Sequence, residues 1–258
     1  MKTLNVLYTP ADFAALRLRN LDDTWCVVFD VFRASTSVVV ALANGARSVV
    51  PVAEISEALE YRRRDPAVIL AGERDGVRIR AELTGGADFD LGNSPREFTP
   101  DRIGGRTVVM TTTNGTRALR ACAHAQGVLV GSFLNLKATA TFVARNHPEH
   151  LLLVCSGTFD QAAYEDVLGA GALCSLIRSD WEGGNISDSA LMARELHAAV
   201  RDHLPEAAAG SRNGRRLLSV PALSEDVGFC LQCDVVQFAV ALRNDGSLQP
   251  ARATGLAR

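Results

Sequence analysis

The chain has 258 residues, 47% of them hydrophobic and 22% charged, which is enough apolar material for the sizeable core of an ordinary globular protein. Its formal net charge is −2, so neither a broad basic face nor a nucleic-acid partner is expected. No apolar run reaches the roughly 20 residues of a membrane span, and residues 1–10 lack a signal-peptide pattern, so no membrane partner is expected.

The first half of the chain alternates strand-like and helix-like segments. The predicted strands are 25–29, 48–52, 68–71 and 107–110. The predicted helices are one capped by Ser35 or Thr36 that runs to about Asn44 and stops at Gly45, then 55–64 and 116–123. Residues 75–104 have few periodic apolar positions and many Gly, Pro, Asp and Asn, which predicts a long functional loop region with short elements.

The second half continues the alternation and then changes. Strands are predicted at 128–130, 151–155 and 235–242, the last followed by a turn at Asn244–Gly246 and a final short strand. Helices are predicted at 136–146, 164–177, 188–203 with Ser187 as cap, and 224–230. Residues 205–216 are rich in Ala, Gly and Arg, which predicts a mobile segment.

Strand–helix alternation on this scale predicts an α/β fold, a mostly parallel sheet with helices on both faces. The segments after residue 180 predict a helical and β-hairpin C-terminal extension of that sheet. We expect residues 1–258 to form one domain, with a subdivision near 180 into an α/β core (1–180) and an extension (181–258) as the alternative. The sequence does not fix the oligomeric state and leaves a homo-oligomer open.

Five polar clusters follow apolar, strand-like runs. They are Asp30–Thr36, Gly72–Gly76, Asp90–Pro95, Thr112–Thr116, and Cys155–Gly157 with Glu165 and Asp166 close behind. In an open α/β sheet, ligands bind outside the carboxyl ends of the strands, so we expect these clusters to converge. Their carboxylates, arginines, hydroxyls and amides favour an anion held together with a hard cation, which makes phosphate-ester chemistry the leading interpretation.

The first two clusters pair an acid with a base. Asp30 can bind Mg²⁺, which prefers oxygen ligands, and Arg33 can contact a phosphate or sulfonate through two parallel hydrogen bonds. A structural Asp–Arg pair at a strand end is the alternative. Glu73 and Arg74 repeat the arrangement, and there the alternative is a solvated loop. Residues 90–95 can equally be an Asx-turn without a role in binding.

The Thr-rich cluster before the predicted helix 116–123 is typical of a phosphate-binding turn, since backbone N–H groups at a helix N-terminus bind anions. The pattern of a P-loop is absent, and a well-capped turn is the alternative. Ser156 and Gly157 are interpreted as anion contacts, because Gln161 stands where a tyrosine-phosphatase loop would need Arg. Glu165 and Asp166 are adjacent on a helix, so at most one of them is expected to enter the site directly.

Other chemistries find little support. Residues 88–92 resemble a haloacid-dehalogenase motif only superficially, since Gly92 replaces the required Thr or Val. The five histidines lack the spacing of a zinc site, and Cys230 and Cys233 form a single C-x-x-C that favours packing. The six cysteines are scattered, several in apolar runs, which favours a disulfide-free cytoplasmic protein.

Together these motifs resemble the 2-phosphosulfolactate phosphatase (ComB-like) family. The resemblance rests on the five clusters in the same order and on three C-terminal pieces, Ser187–Ala190, Ser211–Gly214 and Glu225–Asp234, so it covers nearly the whole chain. It implies a Mg²⁺-dependent phosphoric monoester hydrolase that converts 2-phospho-3-sulfolactate to 3-sulfolactate and phosphate, a step toward coenzyme M. The alternatives are a phosphatase of another small phosphorylated hydroxy acid and a non-catalytic binder of such acids.

The hypothesis for the site assigns each residue a role. The Mg²⁺ ligands, direct or through water, are Asp30, Glu73 and one of Glu165 or Asp166. The catalytic residues are Asp30, Arg33 and Asp166, with Asp166 as general acid or base. The substrate-binding residues are Arg74, Asn93, Ser94, Asn114, Gly115, Thr116, Ser156 and Gly157, of which Arg74, Asn93 and Ser94 orient the sulfonate or carboxylate of a small anionic phosphorylated substrate.

Overall fold

An eleven-stranded sheet runs through the protein in a computed structural model that describes residues 1–251. Its strands are β1 (Thr3–Leu7), β2 (Thr24–Phe29), β3 (Ser48–Pro51), β4 (Ile69–Arg74), β5 (Val77–Arg78), β6 (Thr107–Thr111), β7 (Gly127–Gly131), β8 (His150–Cys155), β9 (Asn185–Ile186), β10 (Val240–Leu242) and β11 (Leu248–Pro250). Their order in the sheet is β5-β4-β6-β3-β11-β10-β7-β2-β8-β1-β9.

The sheet is mostly parallel, as predicted, and its antiparallel part is the C-terminal hairpin together with β5. Strands β4, β6 and β3 pair in parallel on one side, and β7, β2, β8, β1 and β9 on the other. The hairpin of β10 and β11 lies between these two halves, with β11 antiparallel to β3 and β10 antiparallel to β7. The last strands of the chain therefore occupy the middle of the sheet.

Helices cover both faces. They are α1 (Pro10–Ala14), α2 (Ala34–Ala43), α3 (Ile55–Arg64), α4 (Ala81–Thr84), α5 (Pro100–Ile103), α6 (Gly115–Cys122), α7 (Leu136–Asn146), α8 (Tyr164–Ile177), α9 (Asp188–Val200), α10 (Leu204–Ala209), α11 (Arg212–Leu218) and α12 (Ser224–Cys230). The side chains of β2 alternate between the two cores: Trp25, Val27 and Phe29 pack with α7, α8 and α9, while Cys26 and Val28 pack with α2 and α6. A central strand buried on both faces explains the continuous apolar run that follows Thr24.

The predicted start of α2 is wrong: the N-cap is Arg33, two or three residues before the predicted cap Ser35 or Thr36. The helix begins at Ala34, and Ser35 and Thr36 lie inside its first turn. Their hydroxyls donate backwards, Ser35 Oγ to the carbonyl of Asp30 at 2.8 Å and Thr36 Oγ1 to that of Val31 at 3.0 Å. The hydroxyls therefore fix the turn between β2 and α2, and the first amide of the helix is bonded by Asp30 instead.

The segment 205–216 was predicted to be mobile, and this prediction is wrong. It forms most of α10 and α11, whose Ala208 and Leu217 pack into the core, and Ser211 Oγ accepts the amide of Gly214 at 2.9 Å as an N-cap. Small residues here allow close helix packing, which local composition does not distinguish from disorder.

Two elements of the C-terminal part of the chain are shorter than predicted. The strand predicted at 235–242 is reduced to Val240–Leu242, because the amides of Asp234 and Val236 donate to the carbonyls of Phe133 and Leu134 outside the sheet. The helix predicted at 188–203 ends as α9 at Val200 and continues as a 3₁₀ turn.

Strand β1 had no counterpart in the sequence interpretation, because its residues alternate polar and apolar over five positions only. It lies between β8 and β9 near one edge of the sheet and is parallel to both. All six cysteines have free thiols, five of them buried and Cys233 exposed. Among residues 1–251, no helix combines the length and the apolar character needed to cross a bilayer.

Candidate active site

A cavity of about 240 Å³, lined by both polar and apolar residues, opens at the carboxyl ends of the parallel strands. It is lined by residues at or just after the ends of β2, β4, β6 and β8, by residues of β5 and of the loop between α4 and α5, and by residues of the segment from α11 to α12. These are Asp30, Phe32, Arg33, Glu73, Asp75, Gly76, Val77, Asn93, Thr113, Asn114, Thr158, Phe159, Asn213, Arg216, Leu217, Val220 and Leu223. The position is the one at which an open α/β sheet binds its ligand.

Asp30 lies at the end of β2, buried against the beginnings of two helices. Its Oδ1 accepts the amide of Ala34 at 3.1 Å, at the start of α2. Its Oδ2 lies so close to Gly115, the first residue of α6, that a Cβ there would stand 2.7 Å away. Because a helix N-terminus carries a partial positive charge, both contacts favour an anion at this point.

Burial dominates the acidity of Asp30. Its pKa is raised to about 6, chiefly by desolvation and further by the charges of Glu73 and Glu165, while hydrogen bonds from the Ala34 amide and from Ser156 lower it. A carboxylate of this kind gains from a nearby cation, because its own hydrogen bonds do not offset its removal from water.

Glu73 connects two loops around the cavity. Its Oε1 accepts the amide of Thr113 at 2.8 Å, and its Oε2 accepts that of Gly76 at 2.6 Å. The carboxylate thus ties the end of β4 to the loop between β6 and α6, next to Asn114. Among residues 1–251, α6 receives no capping bond from the side chain of Asn114, the residue before it.

Arg33 is held by a buried acid from the far end of the chain. The Phe32–Arg33 peptide bond is cis, and Arg33 Nη1 donates to Asp226 Oδ2 at 2.9 Å. Oδ1 of Asp226 accepts from Ser94 Oγ at 2.7 Å and from Arg96 Nε at 2.8 Å. Asp226 on α12 therefore joins Arg33 and Ser94, from two of the predicted clusters, to Arg96, and the positive charge of Arg33 is already paired.

The adjacent acids Glu165 and Asp166 have different environments. Asp166 accepts from the Val31 amide at 2.7 Å and from the Ser156 hydroxyl and Gly157 amide at 3.2 Å each. Burial, with the charges of Glu165 and Asp30, raises its pKa well above the ordinary range. Asp166 is thus a structural link between β2 and the loop after β8.

Glu165 lies behind the cavity wall. Its Oε1 accepts from Asn213 Nδ2 at 2.5 Å, while its buried Oε2 has no hydrogen-bond partner among the described residues. Burial raises its pKa, against the bond from Asn213. Asn213, on α11, also donates to Thr158 Oγ1 at 2.9 Å. An unpartnered carboxylate oxygen beside the site is available to a cation or a water.

The structure brings together some of the predicted site residues and not others. Those that line the cavity are Asp30, Arg33, Glu73, Asn93 and Asn114. Those outside the lining are Arg74, Ser94, Gly115, Thr116, Ser156, Gly157, Glu165 and Asp166. Arg74 donates to the carbonyls of Glu73 and Ala53 and to Thr111 Oγ1, and Thr116 Oγ1 donates to the carbonyl of Thr112 at 2.9 Å, so both side chains support the loops around the cavity.

Sequence reasoning gave no site role to Asn213, Arg216 or Asp226. The first two lie on the helix predicted to be mobile, and Asp226 is far along the chain from Arg33. The signal for Asn213 and Asp226 was the order of the C-terminal motifs, since both fall within the pieces quoted for the family resemblance, whereas Arg216 lies in none of these pieces.

The donor set is compatible with Mg²⁺. Asp30 and Glu73 present carboxylates to one cavity, and Asn93 Oδ1, Thr113 Oγ1 and Glu165 Oε2 are buried oxygens without partners in residues 1–251. Oxygen is the ligand type that Mg²⁺ prefers, and this ion is often bound by one or two carboxylates, water and a substrate phosphate. No group of three His, Cys, Asp or Glu side chains in the described chain forms a metal site by itself. The predicted ligand set remains a prediction.

The fold and the cavity define a class: an α/β protein with a carboxylate-rich polar site outside the carboxyl ends of its strands, of the type that binds a small anionic ligand. Residues 13–245 match the model of the family described as 2-phosphosulpholactate phosphatase. The chain belongs to this family, and the resemblance seen in its motifs is confirmed.

Several relatives extend the match over most of the chain. A protein of Caldanaerobacter subterraneus subsp. tengcongensis is 34% identical over 92% of this chain and 95% of its own length. One of Caldicellulosiruptor saccharolyticus is 35% identical over 87% and 91%, and one of Pseudothermotoga lettingae is 37% identical over 88% and 92%. Each is named "Probable 2-phosphosulfolactate phosphatase", the name of a phosphoric monoester hydrolase.

Proposed function

We propose that the protein is a Mg²⁺-dependent phosphatase that hydrolyses 2-phospho-3-sulfolactate to 3-sulfolactate and inorganic phosphate. Family membership supports the reaction, since the relatives carry the name of this activity. The observation that carries the proposal is the meeting of Asp30, Glu73 and Asn114 in one cavity, from the ends of three separate strands.

Electrostatics supports a cation in this cavity. Asp30 and Glu73 face the same space, with Glu165 close enough to raise the pKa of Asp30. A phosphate dianion entering beside two carboxylates is repelled by about 4 kcal/mol per charge pair at 4 Å and an effective dielectric constant of 20. In our proposal Asp30 and Glu73 would hold Mg²⁺, and Glu165 would be a further ligand, directly or through water. When bound, the ion neutralises phosphate charge and polarises the P–O bonds.

The residues of the chain itself bind and orient the phosphate. Thr113 Oγ1 is a buried hydroxyl without a partner among the described residues, and Asn114 lines the cavity beside it. Both can donate hydrogen bonds to phosphate oxygens at the start of α6, where the helix dipole stabilises negative charge. Asp166 positions Asp30 and the loop after β8 through its three hydrogen bonds.

The test is the release of inorganic phosphate from racemic 2-phospho-3-sulfolactate with Mg²⁺ and with EDTA, beside phospholactate and simple phosphomonoesters. The expected result is Mg²⁺-dependent release that prefers the sulfonated substrate and is lost in folded Asp30→Asn protein. The exposed Asp101→Asn variant is the control. Release of phosphate from phospholactate alone would support a phosphatase activity but contradict 2-phospho-3-sulfolactate as its substrate. Binding of these acids without turnover would make the protein a binder.

The proposal also assigns the reaction to the synthesis of coenzyme M and locates the enzyme in the cytoplasm. The support is the family resemblance described above. Cells that lack the protein should then accumulate 2-phospho-3-sulfolactate, as measured by mass spectrometry of cell extracts, and normal levels of that ester would contradict this part of the proposal.

A further inference from the structure

Arg216 lies at the mouth of the cavity, on the helix α11 that closes one side of it. Its Nη2 donates to the carbonyl of Asp75, across the opening from α11. The same nitrogen would stand 3.4 Å from a Cβ added at Gly76. The guanidinium thus spans the opening between α11 and the β4–β5 turn.

The two basic residues that line the cavity differ in whether a carboxylate pairs with them. Three lining residues are acids, Asp30, Glu73 and Asp75, and two are basic, Arg33 and Arg216. Arg33 is paired with Asp226 at 2.9 Å. Among residues 1–251, no carboxylate lies within salt-bridge distance of Arg216. Arg216 is therefore the lining cation whose charge the described residues leave uncompensated.

We propose that Arg216 is a specificity residue that binds the second anionic group of the substrate, the carboxylate or sulfonate that lies beside the phosphate ester. The inference rests on the proposed function and adds to it a recognition role for a residue outside the predicted site. Arg216 has five N–H donors, and the carbonyl of Asp75 occupies one of its nitrogens. The remaining donors can bind a carboxylate or sulfonate through two parallel hydrogen bonds.

The lining around Arg216 fits a short carbon chain between the two anions. Leu217, Val220 and Leu223 line the cavity from the α11–α12 segment, and Val77 of β5 and Phe159 of the loop after β8 also line it. These apolar side chains offer contact to the carbon atoms of the substrate, while Asp30 and Asn114 lie at the phosphate end. The buried Leu217 anchors α11 in the core, which fixes the backbone that carries Arg216.

The experiment compares Arg216→Gln with Arg215→Gln. Both arginines are exposed neighbours on α11, but Arg215 donates to the carbonyl of Gly210 and does not line the cavity. Four esters are used: 2-phospho-3-sulfolactate with both anions, phospholactate with only the carboxylate, 1-sulfopropan-2-yl phosphate with only the sulfonate, and isopropyl phosphate with neither. KM and kcat are measured for each, and so is the shift in melting temperature caused by 3-sulfolactate without phosphate.

Arg216→Gln should raise KM for 2-phospho-3-sulfolactate roughly 10- to 100-fold, as expected for the loss of a charge-assisted hydrogen bond, and leave isopropyl phosphate unchanged. The single-anion ester that shows the same loss identifies the group that Arg216 binds. Arg215→Gln should behave like the wild type. An equal loss on all four esters, or none on any, would overturn the inference.

Binding of 3-sulfolactate separates this inference from the proposed function. If the wild type releases no phosphate from any ester, the proposed function fails. Stabilisation by 3-sulfolactate that is lost in Arg216→Gln would still support the recognition role, whereas stabilisation that is equal in the two proteins, or absent from both, would overturn it.

Discussion

The carboxylate of Asp30 and the backbone of Gly115 are in such close contact that a Cβ at position 115 would lie 2.7 Å from Asp30 Oδ2 and 2.9 Å from the Cβ of Ala34. Two motifs far apart in the sequence, at the ends of β2 and β6, thus depend on each other. The glycine allows the carboxylate to reach the N-terminus of α6, where we place the phosphate.

Replacing Gly115 by Ala should therefore displace Asp30. We expect a loss of about 100-fold in kcat/KM, as typical for a displacement of about 1 Å in a reacting group, and a loss of about 1–3 kcal/mol in the free energy of unfolding from overpacking. Phosphate release and urea unfolding measure the two effects. Gly86→Ala is the matched control, because a Cβ there meets nothing within 4 Å. Full activity of Gly115→Ala would show that the close contact is not needed.

Asp30→Asn should make the protein more stable at neutral pH while it abolishes turnover. In the native state the pKa of Asp30 is raised from 3.8 to about 6, so the buried charge is unfavourable above pH 6 and the penalty is absent below pH 4. At about 1.4 kcal/mol per pKa unit, the variant should gain up to about 3 kcal/mol at pH 8 in EDTA and nothing at pH 3.5.

Urea unfolding of the wild type and of Asp30→Asn, measured between pH 3.5 and pH 8, tests the sign of this stability difference. The difference between variant and wild type should grow as the pH rises from 4 to 6 and stay constant above it. Asp101→Asn, at an exposed position, should show no such rise. A variant that is less stable than the wild type at pH 8 would contradict the interpretation of Asp30 as a destabilising buried charge.

Asp226→Ala should lower the free energy of unfolding far more than a substitution of the neighbouring Glu225 does. Asp226 is fully buried, and its loss leaves Arg33, which is 4% exposed, as an unpaired buried charge at a cost of about 3–5 kcal/mol. Glu225 pairs with Arg96 at the surface, so Glu225→Gln should cost only about 0–1 kcal/mol. Chemical denaturation measures both values, and equal effects of the two changes would argue against the central role of Asp226.

Asp166→Ala should act on stability as well as on activity. The change removes the acceptor of two buried amides, those of Val31 and Gly157, each at a cost of about 1–3 kcal/mol. Ser156→Ala, which removes only one hydroxyl donor, should be milder. If Asp166→Ala proved as stable as the wild type but inactive, Asp166 would have the direct acid–base role that its sequence position suggested.

The α/β class followed from the sequence because most of the longer strands, among them β2, β6 and β8, have a local apolar signal. The helices at 55–64, 136–146, 164–177 and 224–230 have the predicted limits. The gathering of Asp30, Glu73 and Asn114 also followed, because parallel strands place their carboxyl ends on one edge.

What could not be predicted depends on distant partners. Nothing near Asp226 indicates that it pairs with Arg33, and nothing in residues 205–216 shows that α11 would be held over the cavity by Asp75 and Thr158. Adjacent acids such as Glu165 and Asp166 differ only in which elements they meet in the folded chain. The position of the hairpin inside the sheet likewise has no signal in its own residues.

That position has a consequence for translation. The ribosome makes every other strand of the sheet before β10 and β11, so β3 and β7 stay unpaired along one edge until Val240–Pro250 have emerged. Open edges of this kind can pair with another chain. A nascent chain that stalls or is cut before the hairpin would hold two half-sheets with exposed inner edges, and we expect such fragments to aggregate or to need a chaperone.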